Sequence, residues 1–524
     1  MSHTKRDRAF KKLRKYLGMC PEGPFLDMCW SLDMLLSGEA ENAARYLKYP
    51  EEAANAGYGS KYAVYPWEIE TLVSERLLAP KFVPAQAGFQ KILNCQVYNA
   101  AANLVNELRD LENADAGIYL KRFGILYEMH RIAQRQFPVQ AGFFNKAQYY
   151  RFGFIYGGPE CAKYFESTHG VSINDFAFAA FALKSNFLNK PRFRGNPDMA
   201  FLGIDQAAVQ NAVRLLCAPL DRAREEHKQD IAKVTANWGF SPPVAYRPSY
   251  LRKRPIIELH DGVMYCPLPE LVALRTTAGL YYDLVGGPSH LRNEASKRFE
   301  MYSAEFVRKT TRFEVSDEIE YRIGQRNWRT PDVLCERNGA VLVAIECKAS
   351  KLTYDAQFAE TPAAFAKRGY EELAKGVVQL WRFVAHSRMG AGPKRADASI
   401  RCLLLTLDTW LAMSGNLKRE VIAAAKELAK GEPDIREEDQ RPIVFASIFD
   451  FERTLMDGSE ETFLDAMDHA ATESFTGWML ADVQRDRGNE KRTDREYPFE
   501  VADVFPFFAA IDQLKDEREG KSAG

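Results

Sequence analysis

The sequence predicts an α+β chain of more than one domain, mainly helical in its first half and built on a mixed sheet in its second. Three observations carry this reading. Residues 89–111 and 120–136 are rich in Ala, Leu, Gln, Glu and Arg with helical spacing. After Gly239 the composition changes: Pro242, Pro243, Pro248 and Pro255 break helices, and short apolar runs at 256–259 and 263–266 flank His260-Asp261-Gly262. Beyond Pro288, runs that read as strands at 315–323, 333–335, 341–345, 402–407 and 443–448 alternate with helical patterns at 291–309 and 370–385, as in a mixed sheet covered by helices. With 524 residues the chain is long enough for two or three cores. The expected division is a helical recognition or partner domain over 1–238, a β-containing connector over 239–287, an α/β/α domain over 288–454 and an extension over 455–524.

Composition narrows the function classes. The formal net charge is −1, so no global basic field draws the chain onto nucleic acid and any such contact must come from local patches. The nine cysteines are scattered without a Cys-x-x-Cys pair, which argues for free thiols in a reducing compartment, the cytoplasm, and against structural zinc. No run approaches the roughly eighteen apolar residues of a membrane span, and no Gly-x-x-x-x-Gly-Lys-Ser/Thr loop is present for a nucleotide-driven motor.

Taken in order, residues 4–16 form a basic arm, open to a helical reading with Phe10 and Leu13 as its few apolar anchors, that reads as a solvated, frayed terminus, with phosphate binding as the alternative. The aromatic run Tyr149 to Tyr156 reads as core rather than as a base-stacking surface. His130 and His169 have no ligand spacing to acids or cysteines. Arg247, Arg252, Lys253 and Arg254, interleaved with Tyr246 and Tyr250, form the best local basic patch and the candidate nucleic-acid contact; the alternative is a charged linker.

The informative stretch is 329–350. Asn338-Gly339 between two apolar runs is a strong hairpin signal. The second run is apolar without alternation, as in a strand buried on both faces, yet ends in Glu346 and Lys348, which share one face. The hairpin returns Asp332 close to them. A regular two-residue turn would pair Asp332 with Ile345 and put the two acids on opposite faces, so a three-residue loop with a bulge, pairing Val333 with Ile345, is expected.

Pro331-Asp332, thirteen intervening residues, then Glu346-Cys347-Lys348 resembles the signature of the PD-(D/E)xK nuclease superfamily, the restriction-endonuclease-like fold. The resemblance covers 288–454, about a third of the chain. It implies a Mg²⁺ or Mn²⁺ ion held by Asp332, Glu346 and the backbone carbonyl of Cys347, with Lys348 orienting or deprotonating the attacking water. The helix before the hairpin carries Phe299-Glu300, similar to an acid-bearing element in many such families, with Ser296 where glycine is usual. Glu300 is thereby a candidate catalytic acid and metal ligand, with Glu294 and Glu305 as alternatives. Gln379, four residues before Phe383, resembles a Gln-x-x-x-Tyr element of one branch, with the tyrosine replaced.

The expected function is Mg²⁺-dependent cleavage of nucleic acid, DNA favoured, in a setting such as bacterial restriction or defence against phage. A non-catalytic nuclease-like binding or scaffold protein and an RNA-cleaving toxin are the alternatives. No membrane partner is expected, and the helical region leaves room for a homo-oligomer or a protein partner.

Overall fold

The computed structural model describes residues 3–80, 92–123, 125–195, 197–200, 203–359, 362–411, 413–488 and 495–512. The fold is α+β, with helices dominating the N-terminal half and a mixed five-stranded sheet in the C-terminal half. That sheet contains β1 (Glu314–Asp317), β2 (Val333–Arg337), β3 (Ala340–Lys348), β4 (Ala396–Thr406) and β5 (Ile443–Ser447). Its order is β5-β4-β3-β2-β1, with β1, β2 and β3 antiparallel to their neighbours and β3, β4 and β5 parallel. The run 315–323, expected as one strand, splits: Glu320–Ile323 leaves the sheet and pairs with Arg326–Arg329 in a separate hairpin.

Helices cover both faces, as near-continuous apolar strands require. Val333, Cys335, Val343 and Ile345 face α1 (Ser289–Thr310) and α4 (Ile448–Asp457), where Phe299, Phe306 and Phe451 are fully buried. Leu334, Val341, Ala344 and Leu404 face α2 (Lys367–Arg388) and α3 (Gly415–Ala429) through Val377, Leu380 and Val421.

The remaining chain is tied to this layer. A second sheet takes Arg192–Arg194, Val263–Tyr265, Ile256–Glu258 and Cys217–Pro219 in that order, so strands from either side of residue 239 share it. The basic arm is helical over His3–Gly18 with Leu13 as an anchor, but it is not a frayed, solvated terminus: Leu13 and Leu17 are fully buried and Arg6 pairs with Asp115 at 2.5 Å. Two buried leucines one turn apart give it a face to dock, which outweighs the charge of the rest. Helix Lys146–Tyr156 buries Tyr149, Tyr150, Phe152 and Tyr156 as core. Phe499 stacks on Tyr150 at 4.4 Å and Phe507 on Phe178 at 4.8 Å, so the C-terminal extension packs against the N-terminal helices. Residues 89–91 of the expected 89–111 helix, 489–494 of the expected loop and the expected tail at 516–524 lie outside the described residues; residues 92–97 are turn and an isolated bridge from Val97 to Lys48 rather than helix, and the helix runs from Tyr98 to Phe123. No described helix is long and apolar enough to cross a membrane.

Candidate active site

Register decides which side chains meet. Asn338 and Gly339 both have positive φ, 53° and 71°, the conformation of a tight two-residue hairpin turn, so Arg337 faces Ala340. Left uninterrupted, that turn would send Asp332 to the wrong face. An irregularity between Cys335 and Glu336 corrects it: Glu336 pairs with Val341, but Cys335 pairs with Val343. Leu342 is the extra residue, and Leu342 and Val343 both pack toward α1 instead of alternating. The pairing Val333–Ile345 follows, and Asp332 continues the series opposite Glu346. The sequence reading expected this pairing from a three-residue loop; the molecule reaches it with a two-residue turn and a bulge inside β3.

Asp332 stands one residue before β2 and is held from three directions. Pro331 and Thr330 before it are buried, and Thr330 is clipped to Ile319 by reciprocal bonds: its N–H donates to the Ile319 carbonyl at 3.0 Å, and its Oγ1 accepts the Ile319 N–H at 2.9 Å. The Asp332 Oδ2 accepts the Cys347 N–H at 2.7 Å, substituting a side chain for the next rung of the ladder. The N–H and C=O of one strand residue point the same way, so the Cys347 carbonyl is directed at the same edge.

Glu346 and Lys348 lie on the face covered by α2. The Lys348 Nζ donates to Glu346 Oε1 at 2.8 Å and to Gln379 Oε1 at 3.3 Å. Glu346 is 2% exposed, and its second oxygen, Oε2, is buried with no hydrogen-bond partner. Close approach of α2 depends on Gly376, one turn before Gln379. A Cβ there would stand 2.9 Å from Lys348 Cε, 3.2 Å from Glu346 Cγ and 2.7 Å from Leu404 Cδ1.

The electrostatics are those of crowded acids. Burial pushes the Asp332 carboxyl up to about 9, with Glu346 and Glu300 adding repulsion and the Cys347 N–H and Lys348 only partly relieving it. Burial likewise raises Glu346 against the pull of Lys348. For Lys348, burial alone would lower the ammonium, but Glu346 and Asp332 outweigh it and the net shift is upward.

Of the three candidate acids on α1, only Glu300 acts on both Asp332 and Glu346. Glu294 instead accepts the N–H groups of Glu160 and Cys161 at the start of helix Pro159–His169, and Glu305 pairs with Arg308 at 2.5 Å. Glu300 is itself held by Lys297 at 2.8 Å. Two charged residues of the site escaped the sequence reading. Lys297 feels both Glu318 and Asp332, and Glu318 adds to the field on Glu346. The spacing of Lys297 and Glu300 on one helix could have flagged the first. Glu318 carries no local signal, because it is placed by contacts across the loop, the Thr330–Ile319 clip and its own pair with Arg329 at 3.4 Å.

The basic patch is placed elsewhere and is occupied. Arg247 pairs with Glu75 at 2.5 Å, Arg252 with both oxygens of Glu70 at 2.7 and 3.1 Å, Lys253 with Asp230 at 3.4 Å and Arg254 with Glu226 at 3.3 Å. These pairs join the residue 247–254 segment to helices Pro66–Leu78 and Leu220–Trp238.

Among the described residues no three His, Cys, Asp or Glu side chains converge on a common metal position. The carboxylates are drawn apart: Glu346 toward Lys348, Asp332 toward the Cys347 N–H and Glu300 toward Lys297. The donor set nevertheless suits a hard divalent cation. It offers two adjacent carboxylates, one of whose oxygens, Glu346 Oε2, is buried without the partner its burial demands, and a backbone carbonyl. Compared with protein-family models, with curated proteins and with solved structures, the chain matches none.

Proposed function

We propose that the chain is a divalent-metal-dependent nuclease of the PD-(D/E)xK type, hydrolysing phosphodiester bonds with DNA as the favoured substrate. The observation that carries this is the in-register placement of Asp332 beside Glu346, with Lys348 bonded to both Glu346 and Gln379 at the end of a buried strand. A surface salt bridge would need none of this burial, and an apolar strand end would be more stable without it.

In this reading Asp332, Glu346 and the Cys347 carbonyl hold Mg²⁺ or Mn²⁺, with Glu300 at the periphery; when bound, such an ion neutralises phosphate charge and furnishes hydroxide near neutral pH. Lys348 remains a cation in the metal-free protein, so it donates hydrogen bonds to the attacking water and to the oxygen that gains negative charge. Gln379 accepts from Lys348 and fixes the direction of its ammonium, while Gly376 lets α2 close over the pair and exclude water. Thr330 and Pro331 fix the backbone from which Asp332 projects.

A second reading, a nuclease-like binding or scaffold module without catalysis, is favoured by the lack of three converging acids among the described residues. Incubating the protein with plasmid, linear duplex, single-stranded DNA and tRNA, in Mg²⁺, Mn²⁺ and EDTA, separates the two. Metal-dependent cleavage that is lost in Lys348→Ala is expected. Binding without cleavage in every metal would favour the scaffold, and cleavage of tRNA alone would move the substrate to RNA.

A further inference from the structure

A cavity of about 420 Å³ lies between α3, the free edge of β5 and residues 470–480. It is distinct from the carboxylate site. In the sheet, Glu346 pairs with Leu404 and Leu404 with Phe445, and Phe445 lines the cavity, two strands or about 10 Å from Glu346. Its volume falls in the range of roughly 300–1,000 Å³ typical of small-molecule sites.

Its lining is basic. Lys418, Arg419, Lys426 and Arg441 contribute four cations against one carboxylate, Glu473, which pairs with Arg419 at 3.3 Å. Among the described residues, Lys418, Lys426 and Arg441 have no salt bridge, in contrast to the four cations of the 247–254 segment, each of which has found an acid. The Lys418 ammonium donates to the neutral carbonyl of Trp478, at 3.3 Å, and among the described residues to no carboxylate. Burial pulls its ammonium down to about 8 despite the nearby Asp450, whose carboxylate accepts the N–H groups of Leu480 and Ala481 at 2.7 and 2.9 Å. The Arg441 Nε is buried with no acceptor, and its backbone is fixed by the Trp381 indole, which donates to the Arg441 carbonyl at 2.8 Å. Trp478 stands at the same cavity 45% exposed, edge-on to Phe475, with ring surface left uncovered.

Unpaired cations around a concave wall call for a multiply charged anion, and an exposed indole beside them calls for a flat ring. We propose that this cavity binds a nucleoside phosphate, either a free nucleotide or the phosphorylated end of a strand. The phosphate sits on Lys418, Lys426 and Arg441 and the base stacks on Trp478. The proposal does not depend on the nuclease reading, since none of these side chains belongs to the carboxylate site.

The test is titration of the full chain in EDTA, followed by tryptophan fluorescence and calorimetry, with ADP, adenosine, inorganic phosphate, and a 5′-phosphorylated or 5′-hydroxyl dodecamer. ADP is expected to bind with Kd below about 1 mM and at least about tenfold more tightly than adenosine or phosphate alone. Lys426 is exposed on the rim, so Lys426→Glu should fold normally and weaken ADP at least about tenfold; Trp478→Leu should do the same and remove the fluorescence change. Tighter binding of the phosphorylated dodecamer than of ADP or of its hydroxyl counterpart assigns the site to strand ends; the reverse order assigns it to free nucleotides. Equal affinity for ADP and adenosine, no binding of any probe, or unchanged affinity in Lys426→Glu would overturn the proposal.

Discussion

Asp332 and Gly376 show how single residues set the site's chemistry. A carboxyl whose folded pKa lies near 9, against an ordinary value of 3.8, binds its proton more tightly in the folded chain. Its contribution to stability is therefore full below about pH 4 and is lost as pH rises toward 9. In EDTA, Asp332→Asn should flatten that decline and melt at or above the parent temperature at pH 8, which thermal scans at pH 5 and 8 would reveal. A steeper decline in the variant would contradict the assignment. The same proton must leave before a cation binds, so Mn²⁺ affinity, read by calorimetry, should rise between pH 6 and 8. Gly376 gives a sharper contrast. Alanine in the interior of a helix is intrinsically favoured by up to about 1 kcal/mol, yet here its methyl would press on Lys348 and Glu346. Gly376→Ala should lose cleavage with little change in stability; full activity would show that the close approach of α2 is incidental.

At the scale of elements, the hairpin is where sequence and structure agree most and also where they differ most instructively. Asn338-Gly339 announced the turn, and the unbroken apolar run ending in Glu346 and Lys348 announced a buried strand that ends in charge. The location of the bulge was not legible, because Leu342 resembles its neighbours and its exclusion from the ladder is decided by β4, whose own pairing with β3 is irregular between Ala396 and Arg401. The splitting of 315–323 was hidden for a similar reason: the clip between Thr330 and Ile319, the Tyr321–His386 bond and the Arg329–Glu318 pair, all distant in sequence or invisible to periodicity, hold Glu320–Ile323 in its own hairpin with Glu318 near the site. The residue 247–254 cations were legible as a cluster but not as ion pairs, since their partners Glu70, Glu75, Glu226 and Asp230 lie on helices whose faces the sequence does not orient. The turn itself makes a stability claim. With φ of 71° at Gly339, Gly339→Ala should cost about 1–2 kcal/mol in chemical denaturation, while Asn338→Gly should be nearly neutral. Equal costs would mean that the turn differs from the one described.

Across the whole molecule, buried polar contacts cross the expected boundaries. Arg151 from the N-terminal helices pairs with Glu452 on α4; Glu452 accepts from Tyr302 of α1 at 2.5 Å, and Tyr302 shares a 2.8 Å hydrogen bond with Tyr497 of the C-terminal segment. Arg151, Glu452 and Tyr302 are buried and Tyr497 is half-buried, so removing Glu452 strands a buried guanidinium and a buried hydroxyl. Glu452→Ala should cost about 3–5 kcal/mol and destabilise both halves in one transition. An isolated 288–454 fragment would expose the aromatic faces of Tyr302 and Phe306 and should fail to give a cooperative melt; a stable, cooperative fragment would refute this coupling. The central claim is that the acids around Asp332 form a metal-binding active site and not a structural ion cluster. Melting curves of the parent and Asp332→Asn, each in EDTA and in Mn²⁺, test it most directly. The variant is expected to be as stable as the parent in EDTA or slightly more so, with a Mn²⁺-dependent rise in Tm in the parent only. A strongly destabilised variant in EDTA, together with no metal-dependent shift in the parent, would contradict it.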